Sequence, residues 1–214
     1  MKISWLGHSC FIIEEKEKNL ITDPYYPGLD SYGDKPKADI VTLSHSHPGH
    51  SYIEGIADNP KQINGPGEYE KEGVFITGIT SFHDDREGEN KGKNTIYLIE
   101  IGDLALCHLG DLGHRLTPQI LDELGDIDIL FLPVGEITTI PLDIAVEIIG
   151  QLSPRIVIPM HYKTDTLDTN LQPVGKFLQK MGIREPEIKM ELSVTSSSLP
   201  LNTQVVVLDY LKNL

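Results

Sequence analysis

Three histidines fall within six residues in the run H-S-H-P-G-H, at positions 45, 47 and 50, directly after the apolar stretch IVTL and Ser44. Imidazole nitrogens are good ligands for borderline divalent ions. In extended backbone, residues two apart point to one side, so His45 and His47 can face a single ion just beyond a strand end. The Pro48–Gly49 step turns the chain, which aims His50 away from that pair and toward a neighbouring position. A histidine-rich exposed loop is the competing, chemically empty explanation.

Four more candidates each close their own apolar run: Asp23 in LITDP, His83 in SFHDD, Asp111 in HLGD and His161 in IPMHY. Singly, each has an ordinary reading. Asp23 serves as a turn former, His83 and His161 as hydrogen-bonded semi-buried histidines, and Asp111 as a loop cap. Together they form a nitrogen-rich set with carboxylates, which suits Zn²⁺, with Mn²⁺ or Fe²⁺ as alternatives. A bound divalent ion lowers the pKa of water to roughly 7 and polarises the carbonyl or phosphoryl oxygen under attack. The reaction this points to is water attack on an ester, lactone or phosphoester. Competing nucleophiles find no support: there is no G-x-S-x-G elbow, and Cys10 and Cys107 lie in apolar runs (HSCFII, LALCHL) without an activating neighbour. The stretch GPGEY at 65–69 lacks phosphate-loop spacing and is expected to be a turn entering a strand.

The elements that must position these groups can be traced in the same sequence. Residues 1–35 have the pattern of short strands joined by turns (MKISWLGH, SCFIIEE, the turn-like EKEKN, then LITDPYYPG), which predicts a β-meander. The compact runs at 40–43, 129–132 and 156–158 have the length and β-branched content of strands buried on both faces. Between them lie helical signals. Thr117–Pro118 caps QILDEL, residues 142–152 carry apolar positions at helical spacing, and a helix is expected over 171–181 with Pro173 in its first turn and Gly182 closing it. A final strand is expected in VVVLDY. Strand–helix alternation predicts an α/β architecture, and with no linker or repeat the 214 residues are expected to form one domain, 1–214.

The order of these motifs resembles the metallo-β-lactamase superfamily: an aspartate after an early strand, an H-x-H-x-x-H loop, a lone histidine, an aspartate in a Gly-Asp turn, and the histidine of IPMHY. The stretches WLGHSCF, ITDP, HLGDLGH and VIPMHY are similar to the small metal-dependent hydrolases of that superfamily that include ascorbate-6-phosphate lactonase. The likeness spans about residues 3 to 163. It implies an αββα four-layer sandwich of two mixed β-sheets with outer helices, and a metal site in a cleft along one edge. It also implies that His45, His47 and His83 hold a first metal, that His50 and His161 hold a second, that Asp111 bridges them, and that Asp23 supports the histidine loop. His8, in the loop after the first strand, is implied as a catalytic candidate beside Asp111, binding an anionic substrate group or donating a proton. One departure matters: where the family pattern H-x-H-x-D-H has an aspartate, this chain has Gly49. One or two ions are therefore expected, the second held more weakly, with Glu136, Asp84 and Asp85 as candidate replacements for the missing carboxylate. His108 and His114 are expected to be structural, Tyr162 a packing residue, and Lys163 a possible contact for substrate charge.

Composition narrows the partners. Lys plus Arg is 18 against 32 Asp plus Glu, a formal charge of -14 and a pI near 4.9, so phosphate backbones are repelled and no nucleic-acid partner is expected. No apolar run reaches the roughly 18 residues of a bilayer span, and the start has no secretory pattern, so neither membrane nor export is expected and the cytoplasm is the expected location. Two cysteines are too few for a disulfide scaffold and are expected to be buried free thiols. A small, anionic molecule is the expected substrate, and a homo-oligomer is left open. The rival readings are a non-catalytic metal-binding or ligand-sensing member of the fold, in which Gly49 marks lost hydrolysis, and a nuclease or phosphodiesterase.

Overall fold

The computed structural model describes residues 1–29, 34–165 and 170–209. The chain opens as the expected meander: β1 (Lys2–Gly7), β2 (Cys10–Glu15) and β3 (Lys18–Thr22) pair antiparallel in succession. The turn between β2 and β3 is tighter than EKEKN suggests. Glu15 pairs with Lys18, and Lys16 takes φ 57° to close a two-residue loop. β4 (Ile40–Leu43) and β5 (Lys61–Asn64) then add in parallel, and a late strand β13 (Glu191–Ser193) adds on the other side of β1, giving the order β13-β1-β2-β3-β4-β5.

The second sheet has eight strands in the order β12-β14-β11-β10-β9-β8-β7-β6. Four of them, β6 (Gly67–Lys71), β7 (Val74–Phe82), β8 (Lys93–Ile101) and β9 (Leu104–His108), run antiparallel. The other four, β10 (Ile129–Pro133), β11 (Ile156–Met160), β12 (Glu187–Lys189) and β14 (Gln204–Leu208), continue the sheet in parallel from β9. Residues 65–69 enter β6 as a turn, as expected, and β14 realises the VVVLDY signal, although Tyr210 lies outside the described residues.

Period-2 alternation shows how the sheets face each other. Ile3, Trp5, Phe11, Ile13 and Leu20 point into one core with Ile99, Leu106, Phe131 and Ile158 of the second sheet, while Leu6, Cys10, Ile21 and Val41 point the opposite way into a separate cluster. Tilted aromatic pairs join the layers: Phe11 meets Phe131 with ring centroids 4.5 Å apart, and Trp5 meets Tyr162 at 4.9 Å. Both cysteines are buried and free.

Helices α1 (Pro118–Leu124), α2 (Leu142–Leu152) and α3 (Val174–Lys180) follow β9, β10 and β11 and bury Ile120, Leu124, Ile148 and Phe177 against the eight-stranded sheet. Thr117 Oγ1 accepts the Ile120 N–H at 3.2 Å, the cap that the Thr-Pro pair announces. The third helix is shorter than the apolar spacing predicts. It begins after Pro173 because Gln172 donates its N–H to Gly135 O (2.9 Å), which holds the chain extended where a first helical turn was expected. Among the described residues, the far side of the six-stranded sheet is covered by loops and a 3-10 turn at Ile53–Gly55 packed near Ile56 and Tyr25. No helix among the described residues is long and apolar enough to cross a membrane.

Candidate metal centre

Six strands end at one edge of the sandwich, and each delivers its polar residues there. His8 follows β1, Asp23 follows β3, His45, His47 and His50 follow β4, His83 follows β7, Asp111 follows β9, and His161 follows β11. His50 is re-aimed by a turn in which its N–H donates to His47 O at 2.8 Å. Three of these residues stand in left-handed backbone, His8 at φ 52°, Asp23 at 38° and His161 at 53°. Such conformations cost on the order of 1 kcal/mol or more each and cluster at functional sites. The surrounding bonds over-determine them. His161 N–H donates to His8 O (2.9 Å), Trp5 Nε1 donates to the same carbonyl (3.1 Å), and Asp23 N–H donates to Thr42 O (2.9 Å).

The centre of the site is one oxygen. Asp111 Oδ2 lies 3.2 Å from His83 Nε2, 3.2 Å from His161 Nε2, 3.3 Å from His50 Nε2 and 3.9 Å from His45 Nε2. Around it the imidazoles divide into two trios whose ligand atoms converge, His45 with His47 and His83, and His8 with His50 and His161. The residues gathered from six separate stretches of sequence therefore meet, and His8 joins the second group with its Nε2 3.1 Å from His50 Nε2.

Hydrogen bonds dictate which nitrogen of two rings is bare. Asp23, fully buried, can only accept, and it does so from Ser44 N–H (2.8 Å), Ser44 Oγ–H (2.5 Å) and His50 Nδ1 (2.9 Å). Because the Ser44 hydroxyl proton goes to Asp23, the 2.9 Å contact between Ser44 Oγ and His45 Nδ1 must be donated by the histidine. In the neutral rings both Nε2 atoms then keep their lone pairs, aimed toward Asp111. Asp111 is itself held by Asn94, whose Oδ1 accepts the Asp111 N–H at 3.0 Å while its Nδ2 donates to Leu109 O and Ser81 Oγ.

Burial and charge act together on these groups. Burial, reinforced by the neighbouring His50, lowers the His45 pKa to about 3. Burial also opposes charge on His50, yet Asp111 and Asp23 outweigh it and raise that imidazole to about 10. Asp111 is held well below the usual carboxylate range because His161 and His50 overcome the cost of burying it. Such opposed shifts within one cluster mark a site where charge has been concentrated rather than dispersed.

Several other sequence candidates are placed elsewhere. His108 turns away from the cluster, its Nε2 3.0 Å from Ser9 O, and His114 accepts the Phe82 N–H, so both are structural as expected. Tyr162 packs on Trp5, and Lys163 is exposed and does not line the site. None of the three acidic replacements for the missing aspartate serves. Glu136 Oε1 accepts the Leu142 N–H at the start of α2, the Asp84 carboxylate accepts four backbone N–H groups from residues 86–91, and Asp85 is exposed. Two supporting residues were not anticipated from sequence. Ser44 could have been found from its place immediately before His45, whereas nothing in the sequence around Asn94 announces its role.

The cluster fits a metal ion by the chemistry of its donors. His45 Nε2 and Asp111 Oδ1 are buried without any hydrogen-bond partner, in a setting where an unmatched polar atom is costly. A cation among these lone pairs would satisfy them. The donors form the floor of a cavity of about 960 Å³ whose walls include Tyr26, Leu29, Pro48, Ile137 and Leu171, with Lys91 the one lysine or arginine lining it among the described residues.

Comparison with known proteins agrees with this geometry. The model of the beta-lactamase superfamily domain matches residues 2–161, and the chain belongs to that superfamily. A UPF0173 protein of Pyrococcus abyssi is 32% identical over 187 residues, covering 77% of this chain and 84% of the relative. A UPF0173 metal-dependent hydrolase of Desulforamulus reducens is 28% identical, covering 77% of this chain and 85% of its own length. The crystal structure of a metallo-beta-lactamase superfamily protein from Thermotoga maritima superposes with a TM-score of 0.81 at 38% identity, covering 98% of both chains. Two mixed sheets with helices outside are thus the architecture of this fold.

Proposed function

We propose that the chain is a metal-dependent hydrolase acting on a small anionic ester, lactone or phosphoester. The observation that carries the reading is the single carboxylate oxygen, Asp111 Oδ2, standing within 3.9 Å of four imidazole Nε2 atoms at the floor of a cavity. His45, His47 and His83 would hold one ion, His50 and His161 would belong to a second, and Asp111 would be shared. When bound, a Zn²⁺ or related ion supplies Lewis acidity and water acidified to a pKa of roughly 7.

The chain's own residues do the rest. Asp23 and the Ser44 hydroxyl keep the His45 and His50 Nε2 atoms free of protons in the neutral rings. The apolar walls lower the polarity beside the donors and so strengthen the charge interactions there. Asp111 Oδ1, without a partner, accepts a hydrogen bond from the attacking water and orients it. Lys91, whose Nζ donates to Thr138 O at 2.7 Å, sets a positive charge on the wall to recognise an anionic group. An acidic chain with one wall cation suits a small molecule rather than a polynucleotide.

The test is turnover of a panel of lactones, carboxylic esters, phosphomonoesters and phosphodiesters by the metal-loaded protein, before and after chelation. Activity lost on chelation and restored by Zn²⁺ or Mn²⁺ supports the reading. Firm metal binding with no turnover on any of these classes would overturn it in favour of a metal-binding or ligand-sensing member of the fold.

A further inference from the structure

Position 49 and residue 8 compete for the same space. A Cβ built on Gly49 would lie 3.1 Å from His8 Nε2, 3.6 Å from His8 Cδ2 and 3.7 Å from Leu29 Cδ2, so a side chain at 49 would press on the His8 ring, which would have to give way by a few tenths of an ångström. That ring is not a loose surface group. His8 is buried, its ring centroid is 4.3 Å from that of His161 and 4.7 Å from that of His50, and its Nε2 reaches within 3.1 Å of His50 Nε2. Its backbone is held in the left-handed region, and His8 O receives both the His161 N–H and the Trp5 indole. Ser9 O, the next carbonyl, lies 3.0 Å from both His108 Nε2 and Thr22 Oγ1, so the β1–β2 turn is bound to both sheets.

We propose that His8 is a metal ligand: with His50, His161 and Asp111 it makes a buried three-imidazole, one-carboxylate site, and its ring stands where a carboxylate from position 49 would otherwise reach. In its neutral form His50 carries its lone pair on Nε2, freed by the Nδ1 bond to Asp23; that atom lies 3.1 Å from His8 Nε2 and 3.3 Å from Asp111 Oδ2, which itself stands 3.2 Å from His161 Nε2, and the three imidazoles offer ligand atoms that converge. Electron-rich atoms packed this closely in a buried setting repel one another until a proton or a metal ion lies among them, and a bound ion would displace that proton. Four protein donors, rather than three, make this site as complete as its neighbour, which removes the reason to expect weak filling from the glycine at 49. The assignment replaces the anion-binding or proton-donating role that the WLGHS motif suggests for His8. It rests on the metal-dependent reading above, but it is tested by binding rather than by turnover.

The measurement is Zn²⁺ stoichiometry and affinity by competition with a chromophoric chelator, with thermal unfolding to verify folding. The proteins are wild type, His8→Asn, Gly49→Asp and the double variant His8→Asn/Gly49→Asp. Asparagine is chosen because it tolerates left-handed backbone, so the turn can keep its shape while the imidazole is lost. Expected are two ions in wild type and, in His8→Asn, an intact first site with the second weakened by about 100-fold or more, since even ligand-supporting residues are worth 10- to 100-fold. The double variant should regain much of the second site because a carboxylate then enters the vacated space, whereas Gly49→Asp alone, crowded by His8, should not improve it. This non-additivity is the signature of two residues sharing one position. Two equally tight ions in His8→Asn would overturn the proposal, as would loss of the second ion without rescue in the double variant, which marks a merely structural role. Wild type binding a single ion overturns this inference alone, while wild type binding none overturns the hydrolase reading with it.

Discussion

The two imidazole trios share a carboxylate but are built differently. His45, His47 and His83 include an exposed member, His47, on the tight turn that follows β4, and two of the three, His47 and His83, line the cavity. His8, His50 and His161 are all buried, two of them in left-handed backbone, and the third bonds directly to the fully buried Asp23. One half carries a solvent-exposed ring, whereas the other, although its three rings also line the cavity, is buried and held by its backbone. Asp23 nevertheless reaches both, directly to His50 and through the Ser44 hydroxyl to His45, so one carboxylate on the six-stranded sheet orients a ring in each half.

Replacing Asp111 by Asn should abolish the contrast altogether. It removes the carboxylate oxygen that both trios surround while preserving shape, so both ions should be lost from dialysed protein and turnover should fall by more than about 100-fold. Elemental analysis showing two retained ions would disprove a shared role. Asp23→Asn sharpens the contrast instead. His50 loses its charged acceptor and the affinity of the buried half should drop about 10- to 100-fold, exceeding any loss at the half that Asp23 touches only through Ser44. Equal losses at both sites in a two-site titration would show that the serine relay is as strong as the direct bond.

Ser44→Ala should reverse the order with a smaller effect. His45 loses the acceptor that fixes its tautomer, and affinity at the half with the exposed ring should fall by about 10-fold while the buried half changes less. Smallest of all is a change outside both halves. The Asp84 carboxylate, next to His83, collects N–H groups from Arg86, Gly88, Asn90 and Lys91, which lower its pKa from 3.8 to about 2 against the opposing effect of desolvation. Because that value is depressed in the folded chain, its stabilisation is present above pH 3.8 and is lost as pH falls through about 2. Asp84→Asn should therefore unfold at lower temperature than wild type near neutrality, and the gap should close in acid across that window. A gap that persists at the acid end would show that the loop is held by something other than the charge.

The types and spacing of the residues made much of this legible. His45 and His47 two apart after a buried strand, lone polar residues ending apolar runs, and a Thr-Pro cap at 117–118 are local signals. They are readable because strand alternation and helix capping act over a few residues. The sandwich came from motif order and resemblance rather than from periodicity, and the start of α3 was misjudged because a bond from Gln172 to Gly135, far away in sequence, competes with helical spacing. What only the tertiary structure decided is which groups meet. Asn94 beneath Asp111, Ser44 beside Asp23, and the His8 ring over Gly49 depend on contacts across 17, 21 and 41 residues of chain. The ligand types are written in the sequence because the chemistry of a donor belongs to its side chain. Their partners are not, because a hydrogen bond or a filled volume is a property of two chain segments that only packing brings together.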